Sequence, residues 1–209
     1  MFHHRQQNVG MSKVRCIHNV AAGPNVNVVV DGKIALSNVP YKAVSAYLKV
    51  PSGKHALAIT TVDGITVLAS TAVNLIPGKD YSVIAHGDVT NLKSIALLEL
   101  VDNKSCPPHN KAHIRFIHAA ATIPNVDIWI NNKYKVFPNV AYGSVGNPQY
   151  LSVNATNVKV SAASTGTTNI ALGPLPLTLE SRKIYTIIAT GLLNDSSAPL
   201  SVIVIPDSC

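Results

Sequence analysis

The sequence predicts an all-β chain folded as two tandem β-sandwich domains, and three observations carry that expectation. One stretch occurs twice: residues 14–33 read VRCIHNVAAGPNVNVVVDGK and residues 114–133 read IRFIHAAATIPNVDIWINNK, 100 residues apart and without a gap. An internal repeat of this kind means two copies of one unit. The composition is strand-forming, with 47% hydrophobic and 13% charged residues and with Val, Ile, Thr and Ala dominant, and β-branched side chains suit a pleated, half-buried surface. Turn residues also punctuate the chain at short, regular intervals, as in a sandwich.

In chain order, a polar N-terminal arm (residues 1–10) precedes domain 1 (residues 11–102). Val14–His18 reads as a strand, with a turn at Ala21–Asn25 punctuated by Gly23 and Pro24. Val26–Val30 and Lys33–Leu36 flank Asp31-Gly32, a two-residue hairpin signal. Asn38-Val39-Pro40-Tyr41 forms a corner, and Val44–Val50 alternates weakly before the turn at Pro51-Ser52-Gly53. His55–Val62 and Ile65–Leu75 flank Asp63-Gly64, Pro77-Gly78-Lys79-Asp80 turns into Tyr81–His86, and Ile95–Val101 closes the unit. A polar linker (residues 103–112) leads to domain 2 (residues 113–209), where the landmarks return: Asn139-Val140 and Tyr142, Tyr150-Leu151, Gly166, and Lys183, Tyr185, Ala189 and Gly191. The offset drifts from 100 to 104 residues, the additions falling in connections, where insertions are tolerated.

The net charge is +7, but the basic residues are dispersed. Residues 1–104 hold ten basic and six acidic groups, residues 105–209 seven and four. Without a basic cluster or an aromatic-interleaved patch, the sequence argues against sequence-specific nucleic-acid binding. No run is long enough to span a membrane as a helix, and the N-terminus lacks the apolar stretch of a signal peptide. His3-His4 is too short to act as a metal tag.

Few residues invite a chemical role. His18 and His118 each end the first strand of a repeat, but no repeated nucleophile, acid or further histidine accompanies them. A structural imidazole bonded to the following turn is the expectation. His86 and His55 have Thr190 and Asn157 at their equivalents. Cys106, His109 and His113 form a C-x2-H-x3-H spacing without a fourth ligand, so no metal and no cofactor are expected. Cys16 aligns with Phe116 and reads as a buried core thiol. Cys106 and Cys209 each follow the last strand of a unit and could pair with each other, link neighbouring chains or stay reduced, and the expectation put forward is a covalent link between subunits through one of them. On Val126–Ile130, alternation puts Asp127 and Trp129 opposite the core-facing Val126, Ile128 and Ile130. The polar Asn27 and Asp127 mark that face as outward. Trp129 is then either covered by a neighbouring element or a partner contact. Asn103, Asn154 and Asn194 begin glycosylation-type triplets in predicted loops, which matter only along a secretory route.

The pattern V-R-x-I-H-x5-P-N-V-x-V-x-V-D-G-K, then N-V-P-Y, then P-G-K-D-Y-S-V-I-A-x-G, resembles the family catalogued as domain of unknown function 4397. Residues 13–101 and 113–205 each look like one copy. The second departs with Asn131-Asn132 for Asp-Gly and Glu180-Ser181-Arg182 for Pro-Gly. The resemblance implies immunoglobulin-like or transthyretin-like sandwiches, usually exported and often in tandem on bacterial surfaces, and it transfers no catalytic residue. The resulting expectation is a non-enzymatic structural or assembly protein that self-associates or coats a larger body, on a virion or an extracellular surface. The competing expectation is a cell-surface adhesion module that binds a glycan or another ligand.

Overall fold

The computed structural model describes residues 10–209, so the expected N-terminal arm lies, apart from Gly10, outside the described residues. Domain 1 contains β1 (Met11–Ala21), β2 (Val26–Val30), β3 (Lys33–Val39), β4 (Leu48–Pro51), β5 (Gly53–Thr61), β6 (Val67–Leu75), β7 (Asp80–Asp88) and β8 (Asn91–Asp102). Domain 2 contains β9 (Lys111–His118), β10 (Val126–Ile130), β11 (Tyr134–Val140), β12 (Ser144–Val145), β13 (Leu151–Asn154), β14 (Asn157–Ser164), β15 (Ile170–Thr178), β16 (Lys183–Thr190) and β17 (Ser201–Ser208). No helix occurs among the described residues, so none is long and apolar enough to cross a membrane.

Each domain is a sandwich of two sheets. In domain 1 the orders are β3-β2-β5-β6 and β4-β1-β7-β8. In domain 2 they are β11-β10-β14-β15 and β12-β9-β16-β17, with β13 also pairing β9. All pairings are antiparallel except β1 with β7 and β9 with β16. The two halves therefore share one topology, with β12 as the addition. Strand β9 begins at Lys111, paired with Asn154, which shortens the expected linker. The weak alternation of Val44–Val50 yields only an isolated bridge at Val44 and then β4.

Local chemistry fixes the turns identically in both copies. The β2–β3 turn needs two residues at positive φ, and it has Asp31 (49°) and Gly32 (76°); the β10–β11 turn has Asn131 (54°) and Asn132 (51°). Asn tolerates this region, so losing Asp-Gly does not lose the hairpin. The buried Tyr81 and Tyr185 hydroxyls accept the amides of Ile76 and Glu180, each tying the preceding turn to its sandwich.

The cores differ. In domain 2 one continuous cluster runs through Phe116, Ile128, Phe137, Val160 and Ile187. Domain 1 holds two, one around Leu57, Val73 and Tyr81, the other around Cys16, Val28, Ile59 and Ala85. The cause is in the repeat. Cys16 stands where domain 2 has Phe116, and Leu36, opposite Val28, stands where Phe137 lies opposite Ile128. A void of about 20 Å³ lies beside Cys16, between Val28, Ile59 and Ala85.

The sheets containing β1 and β9 are buried on both faces, because the domains pack back to back. Ile17, Ile84 and Leu100 meet Ile117, Ile188 and Ile205 in a shared apolar cluster. The molecule is thus a stack of four sheets, with β3-β2-β5-β6 at one end and β11-β10-β14-β15 at the other.

Candidate functional site

The two histidines that end the first strands sit against the turns that follow them. His18 Nε2 donates to the Pro24 carbonyl at 2.9 Å and His118 Nε2 to that of Pro124 at 3.0 Å. The Val20 amide approaches His18 Nδ1 at 3.4 Å, which makes Nδ1 the acceptor of a neutral ring. Burial lowers both pKa values below the ordinary histidine range, against the opposing pull of the carbonyls. Neither ring has a nucleophile or a carboxylate as a hydrogen-bond partner.

Cys106 and Cys209 are bonded to each other, with Cα atoms 5.0 Å apart. This intrachain bond corrects the expected link between subunits, because it leaves neither thiol for one. It also removes Cys106 as a thiolate ligand beside His109 and His113. Among the described residues no group of three or more His, Cys, Asp or Glu could hold a metal ion. Cys16 is the free thiol, buried in the domain 1 core, and burial pushes its pKa up to about 11.

Asn27 and Asp127 correct the reading of their strand face. Both lie on the side away from the sandwich core, yet they are 2% and 1% exposed. Each accepts a hydrogen bond from a corner amide, Asn38 or Asn139. Asn27 Nδ2 also donates to Thr61 O and Val62 O, while Asp127 accepts from Lys135 and the Gly166 amide. Polar character marked the face correctly, but loops fold over these residues and use them as anchors. Burial works against the Asp127 charge, but these hydrogen bonds outweigh it and hold the pKa below the ordinary carboxylate value.

Trp129 lies on the same outer face and is half-buried. Its neighbours Asn132, Ser161, Ala163, Thr168 and Ile170 frame an open depression of about 130 Å³. Lys135 Nζ lies 5.1 Å from the ring centroid, and the buried indole Nε1 has no hydrogen-bond partner. Domain 1 has Val29 at the equivalent place, so the feature belongs to one end of the stack. An aromatic surface bordered by an amide and two hydroxyls can contact a sugar ring or a peptide side chain.

The most highly organised polar cluster is between the domains, where sequence reasoning assigned no role. Arg15 forms a bidentate pair with Asp207, both contacts 2.7 Å, and Arg115 bonds Asp102 at 2.6 Å. Each arginine thus reaches a carboxylate at the end of the last strand of the other unit, Asp102 being the final residue of β8 and Asp207 the penultimate residue of β17. The guanidiniums are further held by Ser82 and Thr186 at their Nε atoms, and each Cζ lies 4.8 Å from the ring centroid of its own domain's tyrosine, Tyr47 or Tyr150. Burial opposes the Arg15 charge, but Asp207 and Asp102 more than offset it, so its pKa is raised. Towards the other end of the interface Tyr41 bonds Thr190 at 2.7 Å and Tyr142 bonds His86 at 3.0 Å. These contacts are reciprocal between repeat-equivalent residues, the pattern of a two-fold interface. The sequence signal was available: Arg15/Arg115, Tyr41/Tyr142 and Tyr47/Tyr150 are all repeated. His86 and Thr190, at equivalent positions, each bond the tyrosine of the opposite copy.

The geometry defines a tandem β-sandwich protein whose two copies are joined through a reciprocal, buried interface. The profile of the family described as domain of unknown function (DUF4397) matches residues 12–129 and 121–208, and the chain belongs to that family. No curated protein matches the chain significantly. Among solved structures, the C-terminal domain of AlgF from P. aeruginosa is 18% identical, covering 47% of this chain and 99% of its own, with a TM-score of 0.32. Streptococcal family 41 carbohydrate-binding modules that recognise alpha-glucan are 13% identical, covering 85% of this chain and 92% of theirs, at 0.29. The TIE protein of Bacillus anthracis is 12% identical, covering 88% of this chain and 34% of its own, also at 0.29. At such TM-scores these likenesses carry no inference about function.

Proposed function

We propose that this chain is a non-catalytic structural protein whose duplicated sandwiches present fixed surfaces for self-association or for coating a larger body. The observation that carries the reading is the interdomain lock. Two arginines, two aspartates, a shared apolar layer and the Cys106–Cys209 bond hold the copies in one relation. A body held this way directs its two end sheets to opposite sides, which suits a repeating assembly. An oxidising setting, such as an extracellular surface or a virion, is consistent with the disulfide. The test is light scattering coupled to size exclusion, with electron microscopy of the same fractions. Species larger than one chain, growing with concentration, are expected; a monomer at every concentration would refute the reading.

A second reading, ligand binding at the outer face of domain 2, is favoured by the Trp129 depression. If it holds, a glycan or peptide array gives a signal that Trp129→Ala removes while the melting temperature stays within a few degrees.

A further inference from the structure

The two sandwiches share one topology, yet the end of each beside its first hairpin turn is finished differently. In domain 1 His55 on β5 spans that end. Its side chain, 11% exposed, donates to the Asp31 carboxylate through Nδ1 and to the Pro51 carbonyl through Nε2, both at 2.7 Å. The imidazole thus ties the β2–β3 turn of one sheet to β4 of the other. Strand pairing puts Val158 at the same place in domain 2: Val30 pairs Leu57, two residues beyond His55, and Ile130 pairs Val160, two beyond Val158. This register corrects the match of His55 with Asn157 by sequence spacing. Valine has neither nitrogen, and Asn131 stands in place of Asp31. Here the end of domain 2 is open, as a pocket of about 300 Å³ between β11 and β13.

The other replacements around this opening run in one direction. By strand register, Tyr134 stands for Lys33, Ser152 for Lys49 and Asn154 for Pro51, and Thr156 follows in place of Gly53. Two ammonium groups, a proline and a glycine have become three hydroxyls and an amide. Among the described residues these three hydroxyls have no hydrogen-bond partner. The rest of the wall is aliphatic, from Ile130, Val136, Val153 and Val158. No carboxylate lines the pocket, and the ammonium of its one cation, Lys111, donates to Asn154 Oδ1 at 2.7 Å.

Hydroxyls and carboxamides both donate and accept, so they match groups that do the same. A ligand with apolar faces and a hydroxylated edge fits such a lining, and a sugar ring has that form. The volume lies at the small end of ligand pockets, which run from about 300 to 1,000 Å³, so one or two rings fill it. A peptide strand is a poorer match, because β13 offers only four residues of backbone at the mouth.

We propose that this pocket, which shares no residue with the Trp129 depression, binds a neutral saccharide unit of one or two rings. The test is saturation-transfer NMR on the full chain, with methyl hexosides, methyl N-acetylhexosaminides and their disaccharides as probes, and with hexuronides and short peptides for comparison. At least one neutral glycoside is expected to give a signal. Ser152→Ala with Thr156→Ala is expected to weaken its binding by about tenfold at an unchanged melting temperature, since both positions are exposed. Asn131→Asp with Val158→His copies the domain 1 closure and is expected to abolish binding. Trp129→Ala is expected to leave it intact. Silence from every neutral glycoside, a response confined to peptides or hexuronides, or binding that the Ser152/Thr156 pair does not weaken overturns the proposal. Binding that Trp129→Ala removes also overturns it and assigns the sugar to the Trp129 depression instead. The assembly reading stands or falls separately, on the mass measured by light scattering.

Discussion

Cys16 is a core position filled by a residue smaller than its counterpart, and its chemistry follows from its surroundings. The thiolate is the reactive form, and burial that raises the pKa to about 11 leaves almost none at neutral pH. Alkylation of the native protein is therefore expected to leave Cys16 unmodified, with one equivalent incorporated only after denaturation; mass spectrometry reads this directly. Cys16→Val fills part of the 20 Å³ void and is expected to leave stability unchanged or raise it by up to about 1 kcal/mol in urea unfolding. The alignment of Cys16 with Phe116 made its burial legible, whereas the void depended on residues of several strands, Val28, Ile59 and Ala85 among them, meeting there. His18, His86 and His118 make a second prediction. Burial lowers all three pKa values below 6.5, so the unfolded chain takes up protons that the folded chain refuses. Stability then holds above about pH 6.5 and falls as pH drops below it, by up to about 1.4 kcal/mol per pH unit for each histidine. His55, raised by its bond to Asp31, works in the opposite sense. Thermal melts at pH 7.5 and 5.5 should show the loss, and His118→Asn should reduce it.

The turns show how far local sequence reaches at the level of single elements. Asp31-Gly32, Asp63-Gly64 and Pro77-Gly78 all announced themselves, and strands end beside each. Where the second copy departs, Arg182 occupies the place of Gly78, and both have positive φ, 65° and 74°. A side chain in this region costs about 1 kcal/mol that glycine avoids. Arg182→Gly is expected to stabilise the protein by about that amount, and Gly78→Ala to destabilise it similarly, since space around Gly78 is open and only the backbone conformation objects. Chemical denaturation of the two variants checks the pair. Strand limits were less legible: β1 runs from Met11 to Ala21, well beyond Val14–His18. Its outer residues are stabilised by pairing with β4 and β7, partners distant in sequence that no local pattern announces.

At the level of the whole molecule, the copies are joined by a buried ion-pair cluster, a shared apolar layer and a disulfide. Arg115 is fully buried, and removing its partner strands a charge, so Asp102→Asn is expected to cost about 3–5 kcal/mol. Cys106→Ser with Cys209→Ser opens a link between positions 103 residues apart, and loss of such a constraint is expected to cost about 2–4 kcal/mol. If the domains unfold as one unit, each variant lowers a single cooperative transition; two separate transitions in calorimetry would show that the lock does not couple them. The histidine, disulfide and Trp129 candidates were legible in the sequence of each copy. The arginine–aspartate cluster escaped because its partners belong to opposite copies.

By itself the sequence determined the duplication, the all-strand character, most turns and the alternation that orients each strand, because these depend on residues adjacent in the chain. Only the tertiary structure decided that both central sheets are buried on two faces, that Arg15 and Arg115 exchange carboxylates, and that Asn27 and Asp127 are covered. Each of those facts is set by atoms some tens to nearly two hundred residues apart, brought together by packing that local pattern does not encode.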